Sequence, residues 1–547
     1  MTPSYSSVPG TATPTKQTAL VTLLDQKHAY WSTNHDTWDM LDLLYRGGQA
    51  IQEQAARFLR KRPKELSEVY TARLVSFDYQ GIIGTGCGWY MSKLFSKDPT
   101  IDIRPKGEQD PAKLPDAKKK PYTDFLQNCD RSNTTYIDLW RQIFENLLVF
   151  KGCYVCVDLP RLDATVTNRA QQRAAGGLDP YLTVWGPRSV INWDVDDYGN
   201  LLWAVVKVKT YRHTFLGDGL SVDRWYYYDR TDYRIYERSR VEPKDSGEVA
   251  LFGASGELVS SAAQQTAELI DEGKHSMSGE NRVPLRYIMI PDGLWLANRA
   301  YLPSMTHLNV ENSLIWAVIM ANLPVAVIKG DTEFCQTISE TAYISLDKDA
   351  SFEWTEPKGT SFKTSQEILK SKREEIFRSM FLIAQGRDSS ASASAASGVS
   401  KEADMTPAKD VLAAFGDVIR AQGQNLLNDI ALVRGDANIE FDIRGFNFEE
   451  SSAIDEAEVL ELLMSLDIQS DEFYKQAQIR VLQSYLTDAN RAVIQQCIDE
   501  VNAAPTRSEQ AAQEAQAQKL AMTAGLQKAT MRISGAAQAQ DGLANSS

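Results

Sequence analysis

PSMTHLNVENSLIWAVIMANL, residues 303–323, carries apolar side chains nearly all round a helix. Leu308, Val310, Leu314, Ile315, Val318, Ile319 and Leu323 recur at helical spacing, and Trp316 and Met320 fill the gaps. A helix of that kind must be covered on more than one side. Pro324 and Gly330 are expected to end it. Downstream, Ala342 to Leu346 and Ser351 to Trp354 are short β-type runs separated by Asp347-Lys348-Asp349, the pattern of a hairpin. A second helix is expected from Thr364, with Glu367 three residues on as a capping box, to about Ala384. Its stripe is Ile368, Leu369, Ile376, Phe377, Met380 and Phe381. Gly386 to Ser400 then reads as a loop, because Ala, Ser and Gly alone bury no core. A long helix follows from Thr406 with Pro407 in its first turn, where the missing donor costs nothing. Its stripe is Val411, Leu412, Phe415, Ile419, Leu426, Ile430 and Val433, and Gly435 ends it ahead of a strand at Ile439 to Ile443.

Working outward, the N-terminal half mixes helix and strand. Met1 to Lys16 is rich in Ser, Thr and Pro and reads as an arm, with neither the basic nor the apolar region of a secretory signal. Residues 17–80 and 121–150 have helical periodicity. Cys153 to Pro160 is a short apolar run opened by Gly152, which predicts a buried strand. Further strands are expected at Tyr181 to Trp185, Val190 to Trp193, Leu201 to Tyr211, Arg224 to Tyr228, Tyr233 to Glu237 and Val283 to Ile290. Residues 241–282 read as a surface insertion. Helices at roughly 453–467, 470–486 and 488–503 and an Ala/Gln-rich stretch to about 532 close the chain. The fold class is expected to be α+β.

The 547-residue chain carries a formal charge of −14, the reverse of a protein that grips nucleic acid over its whole surface. One local exception is Arg57, Arg60, Lys61, Arg62 and Lys64 around Pro63, which reads either as a solvated helix end or as a contact for nucleic acid. No run of about 20 apolar residues is present, so membrane insertion is not expected. Six cysteines in a chain of this length suggest free thiols in a reducing compartment. Cys153 and Cys156 form a lone CxxC with too few partners for structural zinc. Gly81, Gly84, Gly86 and Gly88 do not make a dinucleotide fingerprint, and Asp194, Asp196 and Asp197 with Gly199 lack the distal glutamate of a calcium loop. Neither GxSxG, HExxH nor GxxxxGK[ST] occurs, so no cofactor, metal or catalytic residue is assigned.

The order helix, hairpin, helix, Ser/Ala loop, long helix, strand resembles the central part of the portal proteins of tailed bacteriophages. Local strings also resemble that family: Tyr70-Thr71-Ala72-Arg73-Leu74, Lys151-Gly152 leading into Val155-Cys156-Val157-Asp158-Leu159-Pro160, Val190-Ile191-Asn192-Trp193, and Leu294-Trp295-Leu296-Ala297. The resemblance covers roughly residues 40–445. It implies an N-terminal arm (1–40), an α+β wing (41–300), a first stem helix (301–330), a clip (331–362), a second stem helix (363–385), a tunnel loop (386–404), a long wing helix and strand (405–447), and a helical crown with a polar tail (448–547). It further implies a structural protein of the virion, not an enzyme, assembled in the host cytoplasm at the portal vertex of the capsid. Its partners would be further copies of itself in a ring, by resemblance a dodecamer, with terminase large subunit, head-tail adaptors, and major capsid and scaffold proteins. Double-stranded DNA would pass without sequence specificity during packaging and ejection. The rivals are another virion component, such as an adaptor or minor capsid protein, and a cytosolic hydrolase with a scattered site.

Three groups of residues are singled out on that basis. Arg387, Ser389, Ser390, Ser392, Ser394 and Lys401 would face DNA from the tunnel loop. Glu340, Asp347, Lys348, Asp349, Glu353 and Trp354 would meet partners at an acidic clip. Leu314, Trp316, Ile319 and Met320 would join neighbouring copies. An acidic or neutral wall lets DNA slide, since each phosphate held by Lys or Arg adds affinity and friction.

Overall fold

A computed structural model describes residues 20–96, 98–108, 113–160, 171, 177, 179–212, 220–240, 267–321, 325–329, 351–355, 360–383, 398–436, 438–445, 460–462, 470–485, 491–504, 516–524 and 526. The chain divides into two units, residues 1–448 and 449–547.

The first unit is built around an abrupt change from helix to strand. Helices α1 (Ala29–Arg46), α2 (Gly48–Gln52), α3 (Ala55–Phe58), α4 (Ser67–Val75) and α5 (Ile82–Leu94) precede strand β1 (Thr100–Pro105) and helices α6 (Asp116–Gln127) and α7 (Tyr136–Phe150). Thr135 caps α7: its hydroxyl oxygen accepts the Asp138 N–H at 3.1 Å, satisfying one of the helix's free donors. Lys151 ends α7 in the left-handed region, with φ of 73°. Gly152 then starts β2 (Gly152–Asp158) with no room for a side chain, since a Cβ there would lie 2.8 Å from the Ile288 carbonyl oxygen.

Strand β2 is the centre of a three-stranded sheet between β3 (Tyr181–Trp185) and β9 (Leu285–Met289), antiparallel to both. Strand side chains alternate between faces. Cys153, Val155 and Val157 enter the main core beside the helices, while Tyr154 and Cys156 enter a second core with Val190, Ala204, Val206 and Tyr228. The two cysteines of the CxxC thus point to opposite faces, which rules them out as a pair of ligands for one metal. Both are buried, and burial raises both thiols well above their ordinary range. The second core is closed by an antiparallel sheet in the order β4 (Val190–Val195), β5 (Leu201–Arg212), β6 (Leu220–Asp229), β7 (Asp232–Arg240), β8 (Glu268–Lys274). The β4–β5 turn is held by Asp196, whose carboxylate accepts the Tyr198 and Asn200 backbone N–H groups and pairs with Arg230. Its acidic cluster is therefore a turn, as its spacing suggested.

After β9 come α8 (Leu296–Ala321), β10 (Val325–Lys329), β11 (Ser351–Thr355), α9 (Thr360–Ser379), α10 (Gly398–Arg434) and β12 (Ile439–Arg444). Phe415 of α10 meets Tyr90 and Phe144 edge to face at 5.9 and 5.0 Å, joining α5, α7 and α10. Strand β12 pairs with β1 in antiparallel register from Thr100↔Arg444 to Pro105↔Ile439. In the second unit, α11 (Asp471–Tyr485) and α12 (Arg491–Ala503) pack together.

Several boundaries differ from the sequence expectation. Helix α1 runs across residue 40, where an arm was expected to end, and buries Trp31 and Trp38. Helix α8 starts at Leu296 rather than 303 and continues through Pro303, whose ring fixes a φ compatible with helix. Helix α9 starts at Thr360, so Thr364 lies inside it and is not its cap. It stops at Ser379 rather than 384, because Phe381 turns left-handed (φ 62°) and the Leu382 N–H returns to the Phe377 carbonyl at 2.8 Å. Helix α10 starts at Gly398, not 406, so Lys401 is a helical residue and not part of a loop. Val325–Lys329, beyond the helix expected to end at Leu323 but within the stem segment that the resemblance implies (301–330), is a β-branched strand pairing with Ser351–Thr355. The expected hairpin partner Ala342 to Leu346 lies outside the described residues, as does most of the insertion 241–282, although Glu268–Lys274 within it forms β8.

Two glycines of α5 have opposite surroundings. A Cβ on Gly84 would sit 2.5 Å from the Tyr45 carbonyl oxygen, whereas one on Gly88 would meet nothing within 4 Å. Gly84→Ala should therefore lower stability by roughly 1–3 kcal/mol, as overpacking does. Gly88→Ala should raise it by up to about 1 kcal/mol through helix propensity. Urea denaturation followed by tryptophan fluorescence measures both, and shifts in the same direction would contradict this packing.

Candidate assembly site

Helices α8 and α9 pack against each other, and their contacts fix the direction. Arg299, near the start of α8, donates through Nε to the Ser379 carbonyl at the end of α9, at 2.9 Å. Further along α8, the charge of Arg373 acts on both His307 and Glu311. As residue numbers rise on one helix they fall on the other, so the helices are antiparallel, with the β10–β11 pair at their far end.

The body end of this pair is buried. In α9, Ile376, Phe377 and Met380 enter the main core, and the Tyr90 hydroxyl donates to the Met380 carbonyl at 2.7 Å. Arg299 lies over the Phe381 ring, 4.5 Å from its centroid. Helix α8 packs on α1, α3, α5 and α7. Along its body-facing side runs a polar stripe at helical spacing: Ser304, His307, Glu311 and Asn312, all buried. Asn312 clamps the backbone of Asp78, accepting its N–H at 3.0 Å and donating to its carbonyl at 2.8 Å. The Gln80 amide donates to Glu311 Oε1, and His307 Nδ1 lies 3.5 Å from Glu311 Oε2. Burial pushes the Glu311 carboxyl up to about 7, and burial also holds His307 below the usual histidine range. Both shifts favour the uncharged forms of the two side chains.

The far end of α8 is different. From Asn312 to Ala321 it contains no charged residue. Leu314, Ile315 and Trp316 are half-buried, and Val318, Ile319 and Met320 are 39%, 41% and 50% exposed. Three consecutive helical residues sweep about 200° around the axis. One chain by itself thus leaves Val318, Ile319 and Met320 partly uncovered over a wide arc of this end, an apolar patch of the kind that marks a protein contact. Ile368 of α9 is also exposed, at 43%.

Of the residues expected to carry function, Leu314, Trp316, Ile319 and Met320 fall together at this end of α8. Glu353 and Trp354 fall in β11, across from Val327 and Ala326 of β10. Lys401 lies in the first turn of α10. Arg387, Ser389, Ser390, Ser392, Ser394, Glu340, Asp347, Lys348 and Asp349 lie outside the described residues. The buried polar stripe escaped the sequence reading. Its signal was there, as His307 and Glu311 are four residues apart on an otherwise apolar helix. Among the described residues no group of acids, histidines and cysteines could hold a metal ion, and no helix is long and apolar enough to cross a membrane.

No protein-family model matches the chain, and no curated protein matches it. Among solved structures, the chain is similar to one from the neck of an empty GTA particle computed with C6 symmetry, at 10% identity over 79% of this chain and 99% of that one, with a TM-score of 0.40. It is also similar to one from the virion of a native gene transfer agent (GTA) particle, at 10% identity over 78% of this chain and 97% of that one, with a TM-score of 0.39. Overlaps of that quality do not establish a shared fold.

Glu311 makes stability depend on pH. An unfolded glutamate titrates near 4.5 and the folded one near 7. The folded state therefore holds the proton more tightly, and this contribution is fully present below pH 4.5 and lost as pH rises through 7. The shift corresponds to roughly 3 kcal/mol. Glu311→Gln, which keeps the shape and the neutral state, should flatten the fall in urea midpoint between pH 5 and 8. A variant with the wild-type slope would show that Glu311 titrates normally.

Proposed function

We propose that the chain is the portal of a tailed-phage-type particle, a non-enzymatic subunit that assembles into a ring through which double-stranded DNA is packaged and ejected. The observation that carries this reading is the exposed, charge-free, apolar end of α8, part of an antiparallel helix pair whose other end packs into an α+β body. A closed ring covers such an end on every copy, because a heterologous contact with a closing rotation leaves no copy unpaired.

Three further features fit. The order of helix, strand pair, helix and long helix is that of a stem, clip and wing. The −14 charge disfavours an adhesive channel for DNA. The chain has no phosphate-cradling GxxxxGK[ST] loop, so the packaging motor would be a separate protein. The segment 331–362 with Glu340, Asp347, Lys348, Asp349, Glu353 and Trp354 would dock terminase large subunit during packaging and head-tail adaptors afterwards. The body would contact major capsid and scaffold proteins at one capsid vertex. Arg387 and Lys401, with the serines between them, would brush the passing DNA. Reversing both charges should change DNA retention and leave ring assembly intact.

Negative-stain microscopy of the purified chain tests the reading directly. Rings with a central opening are expected, of a single stoichiometry, with a dodecamer the anticipated count. Ile319→Asp together with Met320→Asp should leave monomers of unchanged circular dichroism, since each apolar side chain covered by a neighbour contributes about 1 kcal/mol or more at every interface. Uniform monomers from the unaltered protein would refute the proposal.

A further inference from the structure

The proposed conduit leaves one surface without a role. From the end of α3 into the link to α4 the chain reads RFLRKRPK, residues 57–64, with five cations and no acid. Arg57, Arg60, Lys61, Arg62 and Lys64 are all exposed, and among the described residues none of the five forms an ion pair. The adjacent Glu65 does not neutralise them from outside. Its side chain is 5% exposed, and both its oxygens receive Arg73 Nη1, at 2.7 and 2.8 Å. The next acids along the chain in either direction are Glu53 and Glu68.

This stretch is held rigidly. Phe58 and Leu59 are buried anchors at 0% and 1% exposure. The Tyr70 hydroxyl donates to the Leu59 carbonyl at 3.0 Å, and Asn309 of α8 donates to the Phe58 carbonyl at 3.2 Å. The Arg62 N–H donates to Glu65 at 2.8 Å, Lys61 Nζ donates to the Ser67 hydroxyl at 3.1 Å, and Lys64 sits at φ 63°. A non-glycine residue in that region marks a turn fixed by its surroundings. Five like charges on a fixed turn repel one another, and only the Glu65 carboxylate, already engaged by Arg73, acts on one of them, Arg62.

We infer that residues 57–64 form a docking site for the phosphate backbone of double-stranded nucleic acid. A polyanion relieves the repulsion and needs no apolar anchor. A protein partner would want one, because protein interfaces centre on buried aromatic or aliphatic residues with charges at the rim. Here the large apolar residues of the segment face inward, and outside it Leu66 stands exposed without aromatic company. Single strands are held by bases stacked on aromatic rings. Phe58 is fully buried and Tyr70 is half-buried beneath Lys61, so duplex is the form that fits. Asn309 places the turn about 15 Å along α8 from Ile319, at 1.5 Å per residue, apart from the assembly end.

The test is fluorescence anisotropy of the full chain with a labelled 30-base-pair duplex of mixed sequence, at salt from 50 to 200 mM. The comparison is a variant with Arg57, Arg60, Lys61, Arg62 and Lys64 all changed to Gln. The unaltered protein should bind, with log affinity falling linearly against log salt. The Gln variant should lose about tenfold or more in affinity at 100 mM and shed a salt slope of roughly 3–4, near 0.9 for each phosphate contact. A second variant with the three arginines changed to Lys keeps the charges, and should keep most of the affinity and slope. No binding by the unaltered protein, equal binding by the Gln variant, or equal binding to polyglutamate or to a single strand would overturn the inference. The outcome is separate from ring formation: rings that ignore duplex sink this site alone, and monomers that bind it sink the ring alone.

Discussion

Strand β2 is buried on both faces, and the first unit depends on that constraint. One set of its side chains belongs to the helical core and the other to the core beneath the five-stranded sheet. A shift of one residue in its pairing would exchange the two sets. Tyr154 would then have to fit among the helices, and Val155 would leave a void against Tyr228. The junction just before it removes that freedom. Helix α7 is stopped by Lys151 and followed at once by Gly152, where the Ile288 carbonyl leaves no space for a Cβ. The same junction sets where α8 departs, because the Trp295 indole donates to the Val149 carbonyl at the end of α7 at 2.9 Å.

From there the two ends of α8 follow opposite rules. At the body end polar groups are buried and stay neutral, since neutrality is the cheaper state away from water. At the far end apolar groups are left in water. Neither arrangement favours an isolated chain. Both make sense if the body end fixes the helix and the far end is completed by another molecule.

The sequence revealed the strands of the first unit well because their signal is local. Val190 to Trp193, Leu201 to Tyr211 and Val283 to Ile290 are β-branched or aromatic runs bounded by turn residues, and the structure places strands at each. Strand β1 was missed, since Thr100–Pro105 offers only Ile101 and Ile103 and is stabilised by β12, more than 300 residues away. Three helices begin earlier than expected: Pro303, Thr364 and Pro407 all lie inside them. Those local signals are worth about 1 kcal/mol, and packing of the flanking turns outweighs them. Of the assembly site, the apolar residues were legible from periodicity. Their exposure was not, because periodicity cannot tell a helix buried in its own chain from one awaiting a neighbour. The inward turn of Glu65 toward Arg73 was equally invisible, and it is what leaves the basic segment uncompensated.

Asn312 has one more effect, on geometry rather than on stability. A smooth apolar helix can roll about its axis or slide along a neighbour at little cost. A buried amide that reads both the backbone donor and the backbone acceptor of a single residue, Asp78, has only one satisfied position. The azimuth of α8 is thereby set at residue 312, and every side chain beyond it inherits that bearing. Ile319 and Met320 lie about two turns further on. In any closed assembly the bearing of each copy must repeat faithfully, since a small error per copy accumulates around the circle and opens it into a helix. One buried asparagine would thus be the reference mark from which the angle of such a contact is measured.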